Sequence, residues 1–147
     1  MVNDQSEFNN KYNNKESKEP IKIIFKKFSD QQLVIENYFQ LEKIQLLKVN
    51  RINKISLKNL THLRECTIQG CDTTELVIEN CPQIKILNVK NNSLTSLNFL
   101  KGLENLEELE LDGNDKIDFD SGLNYLPSSL DKFSYENTKL VEFLKPD

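Results

Sequence analysis

The sequence predicts an α/β solenoid, with a curved parallel β-sheet on the concave side of stacked turns and short 3₁₀ or loop segments on the convex side. Three observations lead to it. The stretch from Ile84 to Leu94 carries apolar residues at relative positions 1, 4, 6 and 11 (Ile84, Leu87, Val89, Leu94) and an asparagine, Asn92, at position 9. The same template recurs with first positions at Leu41, Leu63, Ile84, Leu106 and Leu130, at spacings of 22, 21, 22 and 24 residues, and a fixed period of this size is the mark of a repeat architecture. Between copies the apolar spacing changes from alternation to i, i+3, i+6.

Each element follows from these patterns. Around positions 4 and 6 of every copy, apolar and polar residues alternate, as in a strand with one buried face. Between copies, Leu57, Leu60 and Leu63, then Ile78, Cys81 and Ile84, then Leu100, Leu103 and Leu106 recur every third residue. That is the pitch of a 3₁₀ segment, so the return limb is expected as short tight turns. No copy can bury its own stripe, but stacked copies share a continuous core. Ile44, Cys66, Leu87, Leu109 and Phe133 are therefore expected in one aligned internal row, along a sheet roughly 25 Å long at about 4.8 Å per strand.

The other copies read Leu63, Cys66, Ile68, Cys71, Thr73; Leu106, Leu109, Leu111, Asn114; and Leu130, Phe133, Tyr135, Thr138, Leu140. On these residues the chain, over roughly residues 20 to 144, resembles the leucine-rich repeat family, whose strand segment reads L-x-x-L-x-L-x-x-N/C-x-L. It departs from that pattern at Thr73 and Thr138, and at Asn50 and Ile117, which arrive one residue late. The resemblance implies a surface for protein partners. Some members of the family are regulatory subunits of enzymes such as phosphatases or ubiquitin ligases, and Leu94 to Asn114 is similar to the short repeats of phosphatase regulators. Asn92 and Asn114 are expected to bond main-chain groups that leave the strand ladder, because such groups are costly if buried unpaired.

Residues 1–19 are rich in Asn, Lys, Glu and Ser, with Phe8 and Tyr12 as the only aromatics. Such a segment has little to bury and is expected to be a disordered tail. The repeat domain then spans 20–147, with a degenerate capping repeat over 20–40 and five repeats starting near 41, 63, 84, 106 and 130. Counting back 21 residues places Ile23 with Ile44, Phe25 with Leu46 and Phe28 with Val49, Phe28 being set to cover the open end. Leu33-Val34-Ile35-Glu36-Asn37 recurs verbatim as Leu76-Val77-Ile78-Glu79-Asn80, 43 residues or two copies later. Leu140, Val141, Phe143 and Leu144 either fold back as a cap or leave the last strand open to a partner.

The chain is 147 residues long, 37% apolar, with net charge −4, enough for one domain with a core. That balance argues against general nucleic-acid binding, and no apolar run of membrane-spanning length exists. The N-terminal residues lack the basic and apolar regions of a signal peptide, giving an expected cytoplasmic or nuclear location. The sequons at Asn59 and Asn91 would matter only in a secreted recognition protein. Catalytic chemistry is hard to assemble. The single histidine, His62, is read as a surface residue, and Cys66, Cys71 and Cys81 lack the paired spacing of a zinc site and are read as small buried thiols. Gly102 and Gly113 are isolated, so no phosphate-cradling loop is visible. The expectation is a non-enzyme without cofactor or metal.

Function is thus expected on the concave face, where the residues between the buried ones point outward: Lys22, Ile24 and Lys26; Lys43, Gln45 and Leu47; Glu65, Thr67 and Gln69; Ile86, Asn88 and Lys90; Glu108, Glu110 and Asp112; Lys132, Ser134 and Glu136. Lysines gather toward the N-terminal end and acids toward the C-terminal end, with Glu104, Glu107 and Asp115 nearby. Ile24, Leu47 and Ile86 are the expected apolar anchors of a protein interface, and the charge gradient is expected to orient the partner.

Overall fold

In the computed structural model, which describes residues 2–24, 26–120 and 122–140, the chain is a parallel β-solenoid with little helix. Its elements are helix α1 (Gln5–Lys11) and strands β1 (Ile21–Ile24), β2 (Gln32–Glu36), β3 (Lys43–Leu47), β4 (Lys54–Lys58), β5 (Glu65–Gln69), β6 (Glu75–Glu79), β7 (Ile86–Asn88), β8 (Glu108–Glu110) and β9 (Lys132–Ser134). Strands β1, β3, β5, β7, β8 and β9 form one sheet of six, and β2, β4 and β6 a second sheet of three.

The core lies between the two sheets. Ile21, Ile44, Cys66, Leu87, Leu109 and Phe133 pair in sequence across the first sheet. All but the half-buried Phe133 are fully enclosed. Facing them are two rows of the second sheet, Leu33, Ile55, Leu76 and Ile35, Leu57, Ile78. Each such side chain contributes about 1.5 to 3 kcal/mol through burial.

The second sheet corrects the expected convex side, where three of the return limbs are strands. Their sequences explain it: Leu33-Val34-Ile35, Ile55-Ser56-Leu57 and Leu76-Val77-Ile78 alternate inward and outward and are rich in β-branched residues. The spacing of three marks i to i+3 turns such as Leu60 to Leu63 and Leu103 to Leu106. From Leu94 onward the buried residues are Leu94, Leu97, Phe99 and Leu100, a pattern no strand can present on one face. There the limb becomes 3₁₀ at Asn98–Leu100 and again at Leu123–Tyr125. At the second-sheet turns Asn37, Asn59 and Asn80 adopt φ of 66°, 56° and 53°, a region asparagine tolerates. Their side chains stack: Asn80 donates to Asn59 Oδ1 at 3.0 Å and Asn59 to Asn37 Oδ1 at 2.9 Å.

Two further expectations are corrected at the N-terminal end. The first copy pairs Ile21 with Ile44 and Ile23 with Leu46, so its offset is 23 residues rather than 21. A slip of two preserves which face each side chain takes, so Lys22 and Ile24 still point outward; Phe25 lies outside the described residues, as do Val141, Phe143 and Leu144. Residues 1–19, expected as a disordered tail, contain α1. Asp4 caps it by accepting from the Glu7 N–H at 2.7 Å, and Glu7 reaches back to the Asn3 N–H, one residue before the cap, at 2.8 Å, a variant of the capping box. Phe8 is completely buried and meets Tyr12 and Tyr38 with ring centroids 4.9 and 6.4 Å apart. Gln5 bonds both the N–H and the C=O of Val34, at 2.6 and 2.9 Å. The Tyr12 hydroxyl donates to the Lys22 carbonyl at 3.1 Å. One helix thereby occupies main-chain groups on the outer edges of both β2 and β1, which would otherwise invite strand pairing.

Candidate functional site: the outer face of the six-stranded sheet

The strand register sets the outward side chains in rows. Lys22, Gln45, Thr67, Asn88, Glu110 and Ser134 form one row, and Lys43, Glu65, Ile86, Glu108 and Lys132 a second. Ile24, Leu47 and Gln69 begin a third. Of the three expected anchors, the register brings Ile24 and Leu47 together, whereas Ile86 sits two strands away between Glu65 and Glu108. All three are half-buried. The one large apolar side chain exposed among the described residues is Phe39, 43% accessible, on the turn between β2 and β3. Repeat periodicity carries no signal for it, because it belongs to no row.

The expected charge gradient is partly offset by ion pairs across strands. Lys43 pairs with Glu65 at 3.5 Å, Lys90 with Glu110 at 3.4 Å and Lys132 with Glu108 at 3.5 Å. These pairs lie largely in solvent, where each is worth less than about 1 kcal/mol, and they offset the charge of Glu108 and Glu110. Asp112 is committed to the fold: it accepts from the Ser134 hydroxyl at 2.6 Å and from the Glu136 N–H at 2.7 Å. Lys22, Gln45 and Thr67, toward the other end of the face, form no ion pair among the described residues.

Asn92 and Asn114 take the main-chain role expected of them, and each bridges two coils. Asn92 donates to the carbonyls of Ile68 and Val89 at 2.7 and 3.0 Å and accepts from the Cys71 N–H at 2.9 Å. Asn114 donates to Val89 and Leu111, both at 2.9 Å, and accepts from the Leu94 N–H at 3.2 Å. Thr73, polar where an apolar residue is expected, is buried because its hydroxyl reaches the Ile52 carbonyl at 2.9 Å.

Cys66, Cys71 and Cys81 are buried free thiols. Burial pushes all three up in pKa, Cys71 to about 11, so they stay protonated and poorly nucleophilic at neutral pH. His62 Nδ1 lies 2.6 Å from the Phe39 carbonyl, an acceptor only, so that nitrogen carries the proton. Among the described residues no group of three His, Cys, Asp or Glu side chains is placed to hold a metal ion, and no helix is long and apolar enough to cross a membrane. What the arrangement offers is an ordered, mostly polar surface. No family model, curated protein or solved structure matches the chain.

Proposed function

We propose that the chain is a non-catalytic protein-binding module, an adaptor of the leucine-rich repeat kind, and that it takes its partner on the outer face of the six-stranded sheet. The observation that carries this reading is the register: six strands hold their outward side chains in parallel rows on a framework fixed by the buried rows beneath, which lowers the entropic cost of docking. The Ile24 and Leu47 pair, with Gln45 and Thr67 alongside, is the favoured contact centre. The trio Glu108, Glu110 and Asp112 is not, since the first two are ion-paired and the third is bonded within the fold.

Gln45→Arg combined with Thr67→Arg is the test. Among the described residues neither side chain forms a hydrogen bond or ion pair, so bulk and charge are added with little effect on Tm. Capture of a protein from native lysate, read by mass spectrometry, is expected with the wild-type chain and lost with this variant. Capture that survives the double substitution contradicts the assignment of this face.

A further inference from the structure

The turns that follow β1 and β3 gather four cations, Lys26, Lys27, Lys48 and Arg51, in a chain whose net charge is −4. They line two adjoining cavities. One, of about 930 Å³, is bounded by Lys26, Lys27 and Arg51 together with Ser29, Asn53 and a single carboxylate, Asp72. The other, of about 490 Å³, is bounded by Lys26, Lys27 and Lys48 and contains no acid in its lining. The two lysines that belong to both are fixed by their backbone: Lys27 bridges to Asn50, the Asn50 N–H donates to the Lys26 carbonyl at 2.9 Å, and the Phe28 N–H donates to the Asn50 carbonyl at 3.1 Å. The cations stand on an ordered edge.

A second, independent observation concerns backbone strain. In the turns after β3, β5, β7, β8 and β9 the residue four past the core position is left-handed: Lys48 (φ 53°), Gly70 (66°), Asn91 (56°), Gly113 (82°) and Asn137 (56°). Four of these five are glycine or asparagine, which tolerate that conformation; a lysine there costs roughly 1 kcal/mol. Arg51, at φ 74°, is left-handed as well. The stem of Lys48 runs over the next turn, its Cγ 3.5 Å from where a Cβ on Gly70 would stand. Stability alone favours a smaller residue at both places, and retained strain of this kind gathers at binding sites.

Among the described residues Lys26, Lys27 and Arg51 form no ion pair. We propose that this basic edge is a binding site for a small phosphate ester carrying two or more phosphate groups. Lysine ammonium groups and an arginine fork are matched to phosphate oxygens. The larger cavity, open to solvent on one side, has the volume of a small-molecule site, and Asn53 and Asp72 offer hydrogen-bond partners to an uncharged hydroxyl-bearing portion. The site adjoins the third row of the strand face through Gln69, and its test uses no protein partner.

The test is calorimetric titration of the full chain with inorganic tripolyphosphate at low ionic strength. Saturable one-to-one binding is expected, weakened at least about tenfold by Lys26→Gln with Arg51→Gln, since two charge-assisted contacts are lost. The same charge change placed elsewhere, Lys85→Gln with Lys116→Gln, is expected to leave the affinity within about twofold, as distant exposed charges are screened. Lys48→Gly is expected to weaken binding while raising Tm, an opposite movement that a purely structural lysine would not give. Absence of saturable binding to the wild-type chain overturns the proposal, as does equal weakening by the control pair. A chain that ignores tripolyphosphate yet sediments with vesicles containing a bisphosphorylated inositol lipid also overturns it, and assigns the edge to a membrane surface.

Discussion

Asn92 shows how much a single side chain carries in this architecture. Its amide links the carbonyls of Ile68 and Val89 and the N–H of Cys71, on two successive coils and away from water. Truncation leaves the Ile68 carbonyl and the Cys71 N–H unpaired, while the Val89 carbonyl keeps Asn114, and a buried unmade hydrogen bond costs about 1 to 3 kcal/mol. Asn92→Ala is therefore expected to lower the unfolding free energy by about 3 kcal/mol in urea denaturation. Thr138→Ala, which removes one hydroxyl donor to Tyr135, is expected to lower it by about 1 kcal/mol. Cys71 makes a second residue-scale prediction. Its thiol titrates at about 11 in the fold against about 9 when exposed, so its contribution is fully present below pH 9 and is lost as pH rises through 11. Each pH unit of that window is worth about 1.4 kcal/mol. Between pH 9 and 11 the wild-type chain is expected to lose about 2 kcal/mol more than Cys71→Ala, measured by denaturation at each pH. The role of Asn92 was readable from its place in the repeat, whereas the fate of Asp112 was not. Its outward position says nothing of Ser134 and Glu136, which a spacing of 22 and 24 residues brings to the same turn.

At the scale of elements, the strands of the large sheet were legible because their inward positions repeat at a nearly constant interval. The strands of the second sheet were obscured by a real regularity: the spacing of three runs from the last strand residue into the turn, as from Leu57 to Leu60 and Leu63, and so crosses two kinds of structure. Helix α1 was obscured by composition. Its polar residues outnumber what it buries, and its stability comes from Phe8 and from side chains that bond strand edges, with Asp4 and Glu7 as the only local signal. Phe8→Ala leaves a cavity between the helix and Tyr38 and is expected to cost about 3 to 4 kcal/mol. Amide hydrogen exchange checks the mechanism as well as the amount: the Val34 N–H, held by Gln5, is expected to lose protection in Phe8→Ala, while the amides of β7 keep theirs.

At the scale of the molecule, each coil contacts chiefly its neighbours, and the strand face exists only because the coils share one register. The rows of that face were legible in the sequence, including Lys22 and Ile24, whose assignment survived a two-residue slip. Its chemistry was less so. The acids and lysines read as a gradient along the chain pair across strands, because residues about 22 apart in sequence are neighbours in the sheet. Of the basic edge the sequence showed only a gathering of lysines toward the N-terminal end, Lys26 among them, since Lys26, Lys27, Lys48 and Arg51 come together only when two turns stack. The most direct measurement of this register is disulfide formation between cysteines placed on neighbouring strands. Gln45 and Thr67 are direct partners, within the span of about 4.4 to 6.8 Å that a disulfide bridges. Gln45→Cys with Thr67→Cys is expected to cross-link rapidly under mild oxidation, while Gln45→Cys with Gln69→Cys, displaced by two residues, stays reduced. Efficient linkage of the displaced pair, with none in the aligned one, would contradict the stacked register from which every other assignment follows.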